Sequence, residues 1–167
     1  GSSSHPAAVP SASPAGQSTP AKQSGQFVER LFHDESGAHK YVVYLPPGYA
    51  KDREWPVVLF LHGAGERGHD GRNPTYFGLG PVLRHSPELY PSVVVFPQCE
   101  TWDDPVFTSW SMQTAAGRRA LAILDEVVQT ESIDPARQSL TGWSMGGFGS
   151  TALAAHDPSR WQAVLAV

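Results

Sequence analysis

Apolar runs alternate with segments of helical spacing along the chain from Phe27 onward. Four short segments with mostly apolar side chains predict β-strands: residues 41–45, 57–61, 93–96 and 163–167. The three residues Ser139-Leu140-Thr141 predict a fifth, shorter strand. Residues 57–61 are apolar without a break, which is typical of a central parallel strand covered on both faces. Residues 93–96 share this pattern. Together the strands predict a sheet with a buried interior.

Helical patterns lie between the later strands. Residues 113–131 carry six apolar side chains at helical spacing: Ala116, Ala120, Leu121, Leu124, Val127 and Val128. Asp134-Pro135 has the chemistry of an N-cap and a first helical turn, so it predicts one more short helical turn. A run of small residues after Ser144 predicts a helix that ends near Asp157-Pro158. Alternating strands and helices indicate an α/β fold with a mainly parallel sheet.

The N-terminal 26 residues differ from the rest of the chain. They contain no acidic residue, one lysine (Lys22) and one large aliphatic residue (Val9), in a background of Ser, Pro, Ala, Gly and Gln. Such a segment buries too little apolar surface to offset its ordering entropy, so residues 1–26 are predicted to be a disordered tether before a folded unit, residues 27–167. Tethers of this kind often follow export signals, which favours a secreted or extracytoplasmic protein. Intracellular linkers have the same composition, so a cytoplasmic location stays open.

Charge and cysteine content narrow the functional classes. The chain has 12 basic and 16 acidic residues among 167 and no basic patch, which argues against a nucleic-acid partner. No apolar run approaches the roughly 20 residues of a transmembrane helix. The single cysteine, Cys99, excludes an internal disulfide and is predicted to be a small buried thiol. Nothing in the composition indicates an oligomeric state.

Gly142, Ser144 and Gly146 form a G-x-S-x-G motif between a predicted strand and a predicted helix. In that context a sharp turn lifts the serine hydroxyl above the carboxyl edge of the sheet, and the glycines leave room for strand and helix to cross closely. The helix N-terminus favours negative charge, and the backbone N–H of Met145 can donate to an oxyanion. The motif therefore predicts Ser144 as a nucleophile and Met145 as an oxyanion donor.

A second motif, His62-Gly63-Ala64-Gly65, follows the predicted strand at residues 57–61. Ester hydrolysis needs another N–H donor from the loop after an earlier strand, and the Ala64 N–H is the first candidate, with that of Gly65 next. His62 is interpreted as an orienting or packing residue. A histidine before the serine does not follow the chain order of the triad in this fold.

Residues 63–68 also match G-x-G-x-x-G, the dinucleotide-binding fingerprint. The required helix does not follow, because residues 69–74 have turn chemistry. The strand at 93–96 leads into Pro97-Gln98 without an acidic residue to hold a ribose. We therefore expect no nucleotide cofactor.

Two further groups of residues have competing interpretations. His62, His69 and Asp70 could suggest a metal site, but solvated loop positions explain them better, so no metal is predicted. Trp102, Phe107 and Trp110 follow the strand at 93–96, at the edge where substrates bind to such sheets. They either line an acyl or aromatic pocket or pack in the core or a lid.

Five blocks of sequence resemble the α/β-hydrolase esterases related to polyhydroxybutyrate depolymerases, feruloyl esterases and predicted peptidases of the phospholipase/carboxylesterase type. The blocks are residues 44–49, 55–68, 93–99, 133–137 and 140–161. The resemblance implies an α/β-hydrolase fold and hydrolysis of small-molecule or polymeric carboxylic esters through an acyl-enzyme, without a cofactor. By position it implies Ser144 as the nucleophile, with Met145 and Ala64 as oxyanion donors.

The chain departs from the pattern of these esterases in one respect. The family carries the acid and the histidine of the triad further downstream than residue 167. His156 lies near the far end of the helix after Ser144, about 18 Å away at about 1.5 Å per residue, and cannot accept the serine proton. We therefore expect residues 27–167 to be the N-terminal part of the domain, without the last strands, and to show little turnover alone.

Three alternative functions stay open from the sequence. A serine peptidase or an acyltransferase would use the same fold and nucleophile. A non-catalytic binding module, or pseudoenzyme, would display a pocket without the chemistry.

Overall fold

The computed structural model describes residues 1–2 and 24–167. Most of the predicted tether, including Val9 and Lys22, lies outside the described residues, so its disorder stays a prediction. The described part contains six strands and three α-helices: β1 (Gln26–Asp34), β2 (Gly37–Leu45), β3 (Trp55–Leu61), α1 (Leu79–His85), β4 (Val93–Phe96), α2 (Ala115–Thr130), β5 (Ile133–Gly142), α3 (Met145–His156) and β6 (Ala163–Ala166). No helix in this part has the length and apolar character needed to cross a bilayer.

The six strands form one mixed sheet in the order β1-β2-β4-β3-β5-β6. Strands β4, β3, β5 and β6 are parallel, whereas β1 and β2 form an antiparallel hairpin that pairs with β4. The mainly parallel sheet expected from the alternating pattern is confirmed. Leu61 at the end of β3 pairs with Gly142 at the end of β5, so the loops that follow both strands leave the sheet at the same edge.

Apolar side chains cover the sheet on both faces. One face packs against α2 and α3 in a cluster that includes Leu59, Leu124, Met145 and Leu153. The other face packs against α1 through a smaller cluster that includes Leu83. All four residues of β4 are buried, as expected for a central strand. Each fully buried aliphatic or aromatic side chain stabilises the fold by about 1.5–3 kcal/mol relative to an exposed one.

The strand β5 corrects one prediction. The short helical turn expected at Asp134-Pro135 is wrong, because both residues lie within β5. The Oδ1 atom of Asp134 accepts the Ala136 N–H at 2.9 Å, so the local turn chemistry is real. This turn forms an irregularity within β5, because the pairing of β5 with β3 changes register between Trp55 and Val57.

Two other elements have no counterpart in the sequence-based prediction. The sequence does not predict strand β1, because it contains several polar and charged residues and none of its side chains is fully buried. Helix α1 spans seven residues, too few to show a clear period. The predicted helix at 113–131 is confirmed with slightly shorter bounds, and Thr114 caps it by accepting the Gly117 N–H at 3.1 Å. Cys99 is buried and unpaired, as predicted.

Candidate active site

Ser144 occupies the sharp turn between β5 and α3. Its φ of 54° is the only positive value at a non-glycine residue in the described part of the chain. Such a conformation costs about 1–3 kcal/mol and persists only where the surroundings enforce it. The Ser144 N–H donates to the Val167 carbonyl at 2.7 Å, and the Ser144 carbonyl accepts the Gly147 N–H at 2.8 Å. The residue is exposed at the carboxyl edge of the sheet.

The two glycines of the motif lie where the turn crosses the end of β3. A Cβ atom on Gly146 would lie 1.9 Å from the carbonyl oxygen of Leu61, and one on Gly142 would lie 2.6 Å from the same oxygen. The Trp143 N–H donates to that oxygen at 3.3 Å. A side chain at either glycine would therefore push the turn away from β3.

The loop after β3 packs directly against this turn. Ala64–Glu66 form one turn of 3-10 helix that begins after Gly63. The Gly63 N–H donates to Oε2 of Glu66 at 2.8 Å. A Cβ atom on Gly63 would lie 3.1 Å from Cε2 of Trp143, so the loop and the serine turn meet at these two residues.

The two N–H groups predicted as oxyanion donors belong to these neighbouring segments. Met145 is the first residue of α3, and Ala64 is the first residue of the 3-10 turn. Within residues 1–2 and 24–167, neither N–H has a hydrogen-bond acceptor. First-turn N–H groups have no partner inside their own helix, so both are available to a ligand.

His62 is held in the core beneath the loop and is fully buried. Its Nε2 accepts the Cys99 N–H at 3.0 Å, so the ring proton is on Nδ1, which lies 2.6 Å from the Gly63 carbonyl. Its carbonyl accepts from Nε1 of Trp110 at 3.1 Å. Burial lowers the pKa of His62 to about 4, so the ring is neutral at pH 7. These contacts fit the packing and orienting role predicted for His62.

The lowered pKa of His62 predicts acid sensitivity. Between about pH 6.5 and pH 4 the unfolded chain protonates this histidine and the folded chain does not, so stability falls as the pH drops. We expect the free energy of unfolding of the wild type, relative to His62→Asn, to fall by about 3 kcal/mol from pH 7 to pH 4. Urea titrations of both proteins across this range measure the difference. Parallel pH profiles would contradict the assignment.

The aromatic residues after β4 differ in burial, and only the core packing of Trp110 is confirmed. Trp110 is buried in the core, whereas Trp102 and Phe107 are exposed. The Phe107 ring packs edge to face on Phe148 at a centroid distance of 4.7 Å. Phe148 borders a cleft of about 250 Å³ that Ser144 also lines. Sequence reasoning missed Phe148, although its position four residues after Ser144 places it one helical turn along the same face.

No hydrogen bond joins the Ser144 Oγ atom to an imidazole or a carboxylate in the described part of the chain. His156 is the last residue of α3, at the opposite end of the helix from Ser144.

The loop residues considered for metal or nucleotide binding have other contacts. The side chain of His69 is exposed, while Asp70 accepts the N–H groups of Arg72 and Asn73. Within the described ranges no group of three His, Cys, Asp or Glu residues has metal-binding geometry. A 3-10 turn, and not the α-helix that a dinucleotide fingerprint requires, follows β3.

A family model described as "Putative esterase" matches residues 36–167. The chain belongs to the Esterase family. No curated protein sequence matches this esterase-family chain.

The chain is also similar to solved esterase structures. A thermostable esterase is 25% identical with a TM-score of 0.62, and the match covers 84% of this chain and 40% of that one. A feruloyl esterase module from Clostridium thermocellum, complexed with sinapinate, is 16% identical with a TM-score of 0.67, covering 89% and 55%. A fluorophosphonate-binding serine hydrolase from Staphylococcus aureus is 16% identical with a TM-score of 0.67, covering 86% and 56%.

These similarities establish the fold. The sheet with flanking helices is that of the α/β-hydrolase esterases, as the sequence predicted. The chain spans between 40% and 56% of the length of these three structures.

Proposed function

We propose that the complete protein hydrolyses carboxylic esters through an acyl-enzyme formed on Ser144. The observation that carries this proposal is the conformation of Ser144, whose φ is 54° at the head of α3. Beside it lie two segments with free N–H groups, at Met145 and Ala64. A strained serine above a helix N-terminus, with two donors for an oxyanion, suits acyl transfer.

The chemistry follows from these groups. A general base removes the Ser144 hydroxyl proton as Oγ attacks the ester carbonyl, and the carbonyl electron pair moves onto oxygen. The Met145 and Ala64 N–H groups donate to that oxyanion. The pair then returns, the ester C–O bond breaks, and the base passes its proton to the departing alkoxide. Water repeats the sequence on the acyl-enzyme and releases the acid.

We propose that the base is a histidine, and its acidic partner an aspartate, from chain that follows Val167 in the complete protein. Two observations support this. No imidazole in the described part of the chain bonds to Ser144, and similar structures are longer than this chain. Without a base the hydroxyl stays protonated at neutral pH and is a poor nucleophile. Residues 1–167 alone should therefore turn over little ester.

The cleft beside Ser144 suggests which esters bind. We propose that an apolar group of the ester packs on Phe148, which is 47% exposed. Replacing Phe148 by alanine should raise KM by about tenfold for esters with a bulky apolar acyl group, because the buried ring face is lost. KM for an acetate ester should change less than about twofold.

A matched control separates this effect from a general loss of apolar surface. Phe77 is also 47% exposed and does not line the cleft with Ser144. Phe77→Ala should leave both KM values unchanged. Equal effects of the two substitutions would argue against the subsite.

The proposed function is tested by pre-steady-state hydrolysis of a p-nitrophenyl ester by the complete protein. We expect a burst of about one p-nitrophenol per active site, followed by slower turnover as the acyl-enzyme hydrolyses. Turnover of amides without esters would favour the peptidase alternative. A folded complete protein without turnover would favour the binding module, and both results would contradict the proposal.

A further inference from the structure

Glu66 carries a buried carboxylate and is the last residue of the 3-10 turn that begins at Ala64. The residue is 4% exposed, and its Oε2 accepts the Gly63 N–H at 2.8 Å. Burial is the largest influence on its pKa and raises it, and no cation within the described residues acts on it. A buried carboxylate without an ion pair is costly, so a stabilising role alone does not account for it.

The main chain of Glu66 is fixed as firmly as its side chain. Nε2 of Gln98 donates to the Glu66 carbonyl at 2.8 Å. The Glu66 N–H donates to the Gly63 carbonyl at 3.3 Å, which closes the 3-10 turn. Gln98 follows β4, so the turn is tied to the centre of the sheet while the Glu66 side chain reaches back to Gly63.

The bond from the Gly63 N–H to Glu66 contributes to the direction of the next peptide. The Ala64 N–H is separated from the Gly63 N–H by the two backbone torsions of Gly63, which stand at φ −79° and ψ 178°. The Gly63 carbonyl, which shares its peptide with the Ala64 N–H, is held by Nδ1 of His62 at 2.6 Å. The Glu66 side chain holds the peptide on the other side of Gly63. Because glycine has the widest choice of backbone torsions, loss of this second anchor would let the two peptides turn relative to each other and shift the Ala64 N–H. A donor displaced by about 1 Å loses much of its effect on a developing charge.

We infer that Glu66 is a positioning residue for ester hydrolysis, which holds the Gly63 peptide so that the Ala64 N–H points at the oxyanion. The inference rests on the proposed function. Glu66 does not touch the reacting atoms, and it acts through the Gly63–Ala64 backbone. The hydrogen bond to Gly63 is the feature that matters, and a neutral acceptor of the same length replaces it.

Three substitutions in the complete protein separate the hydrogen bond from the charge. Glu66→Gln keeps an acceptor at the same reach, Glu66→Asp keeps the charge but is shorter by one methylene, and Glu66→Ala removes both. We expect Glu66→Asp and Glu66→Ala to lower kcat by about 10- to 100-fold with KM within about threefold. Glu66→Gln should retain kcat within about threefold.

The affinity for a transition-state mimic is a measurement that a loss of stability alone does not change. A trifluoromethyl ketone forms a tetrahedral oxyanion on the serine. Its Ki should rise in Glu66→Asp and Glu66→Ala by the same factor as kcat/KM falls. Glu131 is the matched control, because its side chain is also largely buried and bonds to Arg30 and Tyr49. It precedes β5 at the opposite edge of the sheet. Glu131→Ala should lower Tm and leave kcat unchanged.

Three other results would contradict the Glu66 inference, and one of them would also contradict the proposed function. Unchanged kcat and Ki in Glu66→Asp and Glu66→Ala, with an active wild type, would contradict the Glu66 inference alone. An equal loss in Glu66→Gln and Glu66→Asp would show that the hydrogen bond is not the cause, and would also contradict it. A folded wild type without turnover would contradict the proposed function, and the inference with it.

Discussion

Replacing Ser144 by alanine in the complete protein is expected to lower kcat for ester hydrolysis by about 10⁵-fold. Alanine removes the only atom that forms the acyl bond, and the oxyanion donors alone give weak residual catalysis. The backbone should stay in place, since Ser144 is held by its own N–H and carbonyl bonds to Val167 and Gly147. Steady-state kinetics with a p-nitrophenyl ester measure the loss.

Ser159→Ala is the control for this prediction. Ser159 is exposed beyond α3, and its hydroxyl bonds only locally to Asp157. We expect this variant to keep wild-type kcat and the wild-type circular dichroism spectrum. A Ser144→Ala protein that kept more than a few per cent of wild-type turnover would rule out Ser144 as the nucleophile.

The second large effect is expected from Gly146→Val. Its Cβ would lie 1.9 Å from the Leu61 carbonyl oxygen. No rotamer change relieves this contact, because the backbone fixes the position of Cβ and the oxygen belongs to the backbone of β3. The α3 helix would have to move off β3, at the point where the serine turn and the Ala64 loop meet. We expect the free energy of unfolding to fall by about 3 kcal/mol. Urea unfolding of the complete protein measures it.

Gly65→Ala tests whether this loss is specific to the close crossing. A Cβ on Gly65 would have no neighbour within 4 Å, and the residue has no positive φ. We expect its free energy of unfolding to stay within about 0.5 kcal/mol of the wild type. Similar stabilities for Gly146→Val and Gly65→Ala would mean that the turn does not pack on β3 as described.

Elements with a strong local pattern of residues could be predicted from the sequence alone. The buried strand β4 was predicted with its observed bounds, because four consecutive apolar residues end at Pro97. The serine turn was predictable because the strained conformation needs glycine at fixed places around Ser144. The α3 helix after it was also confirmed.

Elements that depend on distant partners were harder to predict. The edge strand β1 is polar, and only its hairpin partner β2 identifies it as a strand. Residues 134–137 carry turn chemistry, and they lie between two parts of β5 that pair with β3, Ile133 with Trp55 and Gln138 with Val57. Only this long-range pairing on either side identifies the segment as part of a strand. The role of Glu66 depends on the bond from its side chain back to the Gly63 N–H. The only sequence pattern that could have indicated it is the spacing of three residues between Gly63 and Glu66, as in a capping box.

Labelling the complete protein with a fluorophosphonate probe tests most directly whether Ser144 is an activated nucleophile. Peptide mass spectrometry then locates the adduct. We predict about one label per molecule, on Ser144, and no label in Ser144→Ala. A folded protein that stays unlabelled, or carries the label on another residue, would contradict the account.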